Sequence, residues 1–438
     1  MIICSVFLGL LFLVITFYCF KNIWDPHKSY ALFIFGLFLA INGIGIAVPV
    51  TVTNSLTDYT IETWWLVQCG LAYMPIALAA VWVIVRKRSY SDEVSDNSVI
   101  LRPEYFWILA LVNLFFIILT SRFMLQDGFD KIGIVFNIDS NETLYEERYS
   151  YDQEQGHGWF TSFLIYRYLG LITSGLILIY AKQFPIWIRY AATVPLLFIT
   201  LMRSATELQR GPVVTHFLLV LALIALPIIM KRRGNIPTKK RAGINGNTKI
   251  MILAILSIAV GLGLGIFQIT HEEESALISF PRRIFVIPAH TAGLYFGLFP
   301  NPLSFRGIVG TFDMPLGNWT NWQRDGFNLK QIGYAANGYP HHPNSNLIAS
   351  SYSADGWISV ALISVVFTGM ILWFNRAFAR VDSTFPGFAA IVTFHGTYAV
   401  IQVDFAAALT YGFVISQLLL VGASIFCLKF DRSLRLGV

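Results

Sequence analysis

The chain has 438 residues, of which 55% are hydrophobic and 13% are charged, and its mean hydropathy is +0.62. Soluble domains carry about 25% charged residues, so this chain has too few charges to cover a surface that faces water. Its apolar runs reach the roughly 20 residues that a helix needs to cross hydrocarbon, and they lack the alternation of barrel strands. The sequence therefore predicts an all-α polytopic membrane protein and excludes a soluble globular fold.

The net charge of +6 comes from Lys and Arg concentrated in loops between the apolar runs. That distribution follows the positive-inside rule, so the charge does not indicate a nucleic-acid partner. The four cysteines lie in apolar runs without CxxC spacing, and we therefore expect no disulfide framework, no metal site and no cofactor. The first apolar run has no basic region before it, which favours a retained first helix over a cleaved signal peptide.

The apolar runs predict eleven transmembrane helices. These are 1–20, 31–52, 64–85, 105–121, 159–181, 186–202, 213–230, 250–270, 356–374, 385–403 and 409–428. One alternate set of loops and termini comprises 21–30, 86–104, 182–189, 231–249, 375–384 and 429–438. This set holds 20 of the 31 Lys and Arg residues, and the much longer opposite set holds 10. The N-terminus is therefore predicted outside and the C-terminus inside.

Residues 1–438 form a single membrane domain in this interpretation, and two of its outer loops are long. Loop 122–158 is acidic, whereas loop 271–355 is rich in aromatic residues, Gly, Pro and Asn. The second composition suits a folded cap that stacks on sugars. Within it, residues 284–299 form a 16-residue apolar segment. We expect a re-entrant or interfacial helix there, because a twelfth span would put the basic C-terminus outside.

Arginines mark two predicted helix starts on the outer face. Arg210 precedes Gly211 and Pro212 at the start of the seventh span, where free backbone N–H groups and an arginine can bind a phosphate. The alternative is an interfacial arginine paired with Glu207. Arg282 and Arg283 follow Pro281 at the start of the short apolar segment. Gly293 stands eleven residues after Arg282, about three α-helical turns, so we expect both on one face.

Other polar residues occur before and inside the spans. His341, His342, Asn344 and Asn346 precede the ninth span, followed by Tyr352, Asp355 and Gly356. A histidine there can act as a general base, and the alternative is a polar loop in which Asn346 caps the helix. Arg167 lies within the fifth span, where an arginine is costly and usually faces a cavity or a partner. His216, His395 and Asp404 have less weight as packed polar residues.

These features resemble the O-antigen polymerases of the Wzy type, which are related to the O-antigen ligases and to other GT-C-like membrane glycosyltransferases. The likeness rests on Arg210–Gly211 at the entry to a span and on the Arg-x10-Gly spacing of Arg282 and Gly293. It rests also on the Asn-rich stretch 344–356, which ends at a Gly before a span. The family pattern has a second Arg-x10-Gly spacing in the first long loop. This chain departs from it, because the residue eleven positions after Arg148 is Trp159 and not Gly. Pro343 separates the His and Asn that the ligases have side by side.

The resemblance implies glycosyl transfer on the periplasmic face of a bacterial inner membrane. The donor and acceptor would be undecaprenyl-pyrophosphate-linked oligosaccharides, and a chain-length regulator protein is a candidate partner beside the lipid bilayer. The expected pyrophosphate-binding residues are Arg210, Arg282, Arg283 and Arg167. The expected base is His342 or His341, with Glu207 and Asp355 in reserve. The expected substrate-loop residues are Asn344, Asn346, Tyr352 and Gly293.

Three rival functions stay open on the sequence. An O-antigen ligase would use the same donor chemistry with a different acceptor. A flippase for lipid-linked oligosaccharides would have internal repeats and sites on broken helices at mid-membrane. A non-catalytic scaffold of a polysaccharide assembly complex is the third rival.

Overall fold

The structure, a computed structural model, describes part of the chain. The described residues are 1–25, 27–48, 61–86, 99–125, 165–205, 215–224, 281–305, 307, 332, 335, 345–402 and 412–430. This part is mostly helical (85%). The predicted span 250–270 lies outside the described residues.

The helices and strands follow one another in chain order. They are α1 Ile2–Asn22, α2 Ser29–Phe38 with a π-helical turn Leu39–Gly43 and a 3₁₀ turn Ile44–Ala47, α3 Thr63–Val85, β1 Val99–Leu101, α4 Pro103–Phe123, a π-helical turn Ile165–Leu169, α5 Gly170–Tyr180, α6 Ile186–Ala191, α7 Val194–Ala205, α8 Thr215–Ile224, a π-helical turn Arg282–Val286, α9 Ile287–Leu298, α10 Leu347–Ala379, α11 Phe385–Val392, α12 Phe394–Gln402, α13 Phe413–Cys427 and β2 Leu428–Phe430.

Six helices of the described part are long and apolar enough to cross a membrane. They are Ile2–Asn22, Ser29–Ala47, Thr63–Val85, Pro103–Phe123, Ile186–Ser204 and Leu347–Ala379. Each of them overlaps a predicted span, and this confirms the all-α membrane class. The predicted span 385–403 is divided at Thr393 into two short helices, α11 and α12.

The chain forms two compact units. Unit 1 comprises Met1–Asp96 and Glu274–Val421, and unit 2 comprises Asn97–Glu273 and Gly422–Val438. An aromatic core runs through unit 1, where the Tyr73 ring of α3 lies 5.2 Å from that of Phe38 on α2. Phe38 in turn lies 6.4 Å from Phe367 on α10. Buried aromatic rings therefore join three of the long helices.

One end of unit 1 is joined by polar contacts between three segments. The Asn375 carboxamide accepts a hydrogen bond from the Ala31 N–H at 3.0 Å and donates one to the His27 carbonyl at 2.7 Å. Lys28 Nζ donates to the Ile84 carbonyl at 3.2 Å. Residues near the ends of α1–α3 and α10 thus meet at this end.

Unit 2 has its own helix packing. The Asn113 carboxamide of α4 donates to the Ala192 carbonyl at 3.0 Å and accepts from the Thr173 hydroxyl of α5 at 2.6 Å. Phe106 stacks on Phe184 with ring centroids 3.9 Å apart. Next to these helices, β1 and β2 pair as a short antiparallel ladder.

Helix α9 is enclosed within unit 1. Every residue from Ala289 to Phe296 is buried, as expected for a helix that is apolar on all sides and surrounded by protein. Its 12 residues extend over about 18 Å, less than the roughly 30 Å of a hydrocarbon core. Helix α9 is thus a short internal helix, and its depth in the bilayer stays a prediction.

Helix α10 is broken near its start. Asp355 and Gly356 have non-helical backbone angles, and φ of Gly356 is +62°. The break leaves a buried helical piece, 347–354, and a continuation, 357–379, of about 34 Å, enough to cross a bilayer. A Cβ on Gly356 would lie 3.0 Å from Phe305 Cζ. Only glycine suits this backbone conformation without strain.

Replacing this glycine is expected to destabilise unit 1. Gly356→Ala should cost about 1–3 kcal/mol, because alanine is strained at this φ. Gly369→Ala is the matched control in the same helix, where a Cβ meets nothing within 4 Å; it should be neutral or stabilise by about 0.5–1 kcal/mol. Thermal unfolding of the two variants in detergent measures the difference. Equal melting temperatures for both variants would contradict the strain argument.

Candidate functional site

The predicted site residues divide between described and undescribed parts of the chain. Arg167, Arg282, Gly293, Asn346 and Tyr352 are described. The residues outside the described part are Glu207, Arg210, His341, His342 and Asn344. For Arg283 only the helical backbone is described. Four of the five described residues belong to unit 1, and Arg167 belongs to unit 2.

Asn346 is the centre of a buried hydrogen-bond network in unit 1. Its side-chain oxygen accepts from the N–H groups of Ile348 and Ala349, at 3.0 and 2.9 Å, and so caps α10. Its amide donates to Asn42 Oδ1 at 3.0 Å and to the Tyr73 hydroxyl at 2.5 Å. Asn346 is 1% exposed, and both N–H donors of its carboxamide are used within the protein.

This network joins three elements. Asn346 starts α10, Tyr73 belongs to α3, and Asn42 belongs to the π-helical turn Leu39–Gly43. Asn42 also donates to the Ile401 carbonyl at 3.1 Å. The sequence interpretation in which Asn346 caps the helix is confirmed. A substrate contact of Asn346 would have to replace one of these bonds.

Tyr352 belongs to an aromatic cluster beside the helix break. Its ring stacks on Phe296 of α9 with centroids 4.4 Å apart, and lies 5.8 Å from Trp357 and 5.9 Å from Phe305. Trp357 and Phe305 are 44% and 40% exposed, so part of the cluster is accessible. Exposed aromatic faces of this kind suit the apolar faces of sugars as well as a membrane interface.

Arg282 starts the π-helical turn that leads into α9, and it is half-buried. This turn packs against the π-helical turn that contains Asn42. Gly293 lies farther along, inside α9, where a Cβ would come within 3.0 Å of Leu66 on α3. Gly293 thus permits the close approach of two helices.

Unit 2 holds a second polar group of residues. Arg167 lies in the π-helical turn Ile165–Leu169 and interacts electrostatically with His216. The His216 ring is fully buried, with Nε2 3.0 Å from the Thr200 hydroxyl oxygen. Arg203, in the last turn of α7, is 2% exposed, and its guanidinium lies 4.0 Å from the centre of the Phe123 ring. Two arginines and a histidine therefore lie inside this apolar unit.

Hydropathy and motif spacing do not single out Arg203 or a second buried histidine, His290. Arg203 directly follows a predicted span, so it counts as a loop residue, although the helix continues to Ala205. His290 lies in the middle of α9 and is fully buried. The sequence signal for Arg203 is a basic residue just beyond an apolar run, and that for His290 is a polar residue within one.

The chemical capacity of these groups is that of cationic and hydrogen-bonding sites. Buried guanidinium groups bind phosphate oxygens strongly, because hydrogen bonds to charged groups gain strength away from water. Within the described residues, no group of three or more His, Cys, Asp or Glu side chains could hold a metal ion.

Removing the Asn346 side chain is expected to destabilise unit 1. Asn346→Ala should cost about 1–3 kcal/mol, because the cap of α10 is lost and Asn42 Oδ1 loses its donor. Ser345→Ala is the adjacent control, because its buried hydroxyl has no hydrogen-bond partner among the described residues. Thermal unfolding of both variants in detergent is the measurement. A Ser345 variant as unstable as the Asn346 variant would contradict this account.

Comparisons with known proteins give no relative for this chain. No protein-family model matches it, no curated protein matches it, and no solved structure matches its fold.

Proposed function

We propose that the chain is a membrane glycosyltransferase that polymerises undecaprenyl-pyrophosphate-linked oligosaccharide repeat units into O-antigen or a related surface polysaccharide. One observation carries the proposal. Arg167 and Arg282, two of the arginines expected to bind pyrophosphate, each lie in a π-helical turn that leads into an apolar helix. Such turns interrupt regular helices and occur frequently at functional sites.

The proposed arrangement has eleven spans in the inner membrane, with the N-terminus outside, the C-terminus inside and the site on the periplasmic side. Contacts between loops of one predicted side support it. The Asn375 carboxamide bonds to His27 and Ala31, and Lys28 bonds to Ile84, all at predicted inner ends of spans. In unit 2, β1 pairs with β2, and these strands belong to an inner loop and to the inner C-terminal segment.

The reaction transfers the growing glycan from its lipid carrier to a new repeat unit. A hydroxyl of the acceptor sugar attacks the anomeric carbon of the donor, the bond to the pyrophosphate oxygen breaks, and undecaprenyl pyrophosphate leaves. The proton of the hydroxyl passes to a base, for which His342 and His341 are the candidates. Arg210, Arg282 and Arg283 stabilise the charge that develops on the leaving pyrophosphate.

The aromatic cluster supplies a place for the sugar in this scheme. Tyr352, Phe296, Trp357 and Phe305 surround the break in α10, and two of these rings are exposed. Arg282 starts the helical segment that contains Phe296. Phe296 stands fourteen residues after Arg282, about 20 Å along this segment. An oligosaccharide of several sugars linked to a pyrophosphate at Arg282 would reach aromatic faces that stack on sugars. A chain-length regulator protein is a proposed partner.

A transporter of lipid-linked oligosaccharides is the second candidate, and the broken helices of unit 1 favour it. The breaks at Asp355–Gly356 and at Thr393 are of the kind that transporters use at mid-membrane sites. Purified protein in vesicles with a defined lipid-linked repeat separates the two. A polymerase yields longer glycans on a gel, whereas a transporter moves the repeat across the bilayer without extending it. An O-antigen ligase would extend nothing until lipid A core is added.

The arginine hypothesis predicts loss of long glycans. Arg210→Ala and Arg282→Ala should each reduce polymerised product at least about tenfold, the effect of losing one charge-assisted hydrogen bond. Single repeats should remain. The readout is the ladder of glycan lengths from cells whose membranes contain equal amounts of each variant.

Arg376→Ala is the matched control for this experiment. Arg376 is an exposed arginine in the last turn of α10, at the opposite end of that helix from Asn346. Its removal should leave the ladder unchanged. Normal ladders from both the Arg210 and the Arg282 variants would exclude the proposed mechanism.

A further inference from the structure

His290 is a buried polar side chain whose hydrogen-bonding capacity is unused within the described structure. It is 0% exposed, and neither of its ring nitrogens has a hydrogen-bond partner among the described residues. A neutral imidazole has one donor and one acceptor, and burying both without partners costs free energy. His216, the fully buried histidine of unit 2, differs because it bonds to Thr200 at 3.0 Å.

The π-helical turn before α9 brings Arg282 into register with His290. The Ile287 N–H donates to the Arg282 carbonyl, five residues back, so this turn contains about one residue more than an α-helical turn. The eight residues from Arg282 to His290 therefore correspond to about seven α-helical residues, or roughly two turns and 11 Å. The extra residue shifts Gly293 away from the face of Arg282. The expectation that Arg282 and Gly293 share a face fails for this reason.

The shared face of Arg282 and His290 also holds Gly297, which packs on α3. Gly297 stands seven residues after His290, again about two turns. A Cβ on Gly297 would collide with the Trp65 ring of α3, and a Cβ on Gly293 would lie 3.0 Å from Leu66. Helices α9 and α3 therefore approach each other closely along a seam at these two glycines. His290 is the polar residue at the continuation of this seam toward Arg282.

We infer that His290 is a substrate-binding residue, and that its imidazole hydrogen-bonds the phosphate-linked head group held by Arg282. This inference rests on the proposed function. The ligand class is a polyprenyl pyrophosphate, whose non-bridging oxygens accept both the guanidinium N–H groups and the imidazole N–H. The long Arg282 side chain can extend toward His290, so the head group has to bridge less than the full distance between the two backbone positions. Because His290 is enclosed, binding separates α9 from α3 along the glycine seam.

The test compares stability with binding in His290→Leu and His290→Gln. Leucine removes the two unpartnered nitrogens, so His290→Leu should melt at the wild-type temperature or above it. The same variant should bind undecaprenyl pyrophosphate in detergent micelles roughly tenfold to hundredfold more weakly. Glutamine keeps an N–H donor, so its affinity should lie between those two. The ligand should raise the melting temperature of His290→Leu less than that of the wild type.

The matched control is His216→Leu, which removes a ring with a hydrogen-bond partner and should lower the melting temperature. A comparable fall in His290→Leu would overturn the inference, because the ring would then be structural. Wild-type affinity in His290→Leu would also overturn it. If the protein binds the probe in a His290-dependent way but does not extend glycans, the polymerase function is rejected and the binding role of His290 is kept. If the wild type neither binds the probe nor extends glycans, both fail.

Discussion

In hydrocarbon, every backbone N–H and C=O must be paired within the protein, and the arrangement of this chain depends on that constraint. Regular helices satisfy it alone, whereas an interrupted helix satisfies it only where neighbouring protein surrounds the interruption. The break before Trp357 follows a helical piece in which every residue from Leu347 to Ala354 is buried. The π-helical turn Leu39–Gly43 is packed against that of Arg282–Val286. These irregular segments of unit 1 thus pack against neighbouring protein, and Arg282, Asn346 and Tyr352 lie at or beside them.

The long helices are predictable because hydropathy depends on composition alone. The prediction of 64–85 differs by one residue from Thr63–Val85, and 105–121 lies within Pro103–Phe123. The interruptions are not predictable in the same way, since a π-helical turn depends on what packs against it. The residues Arg282–Val286 have no sequence feature that requires the hydrogen bonds of a π-helical turn, which join residues five positions apart. The π-helical turn changes which residues share a face. A spacing rule based on 3.6 residues per turn therefore places Gly293 wrongly on the face of Arg282.

In the candidate site, too, some features follow from the sequence and others depend on tertiary packing. That Asn346 caps a helix follows from its position before an apolar run, and the structure agrees. That its amide also joins Asn42 and Tyr73, over 304 and 273 residues of sequence, depends on tertiary packing. His290 and His216 both lie in apolar runs, and only His216 stands out there as a packed polar candidate. Only the folded structure shows that one has a hydrogen-bond partner and that none of the described residues bonds to the other.

Burial around the irregular turns also bears on the proposed chemistry. Removing water strengthens the attraction between a guanidinium and a phosphate oxygen, because the local dielectric constant falls. The same change penalises a polar side chain that has no partner. In unit 1, the half-buried Arg282 starts the segment that contains the fully buried His290. A head group bound between these residues would accept hydrogen bonds from both, and so would supply the hydrogen bond that His290 lacks among the described residues. The proposed site therefore favours a ligand that offers anionic oxygens to both side chains, which links its selectivity to its burial.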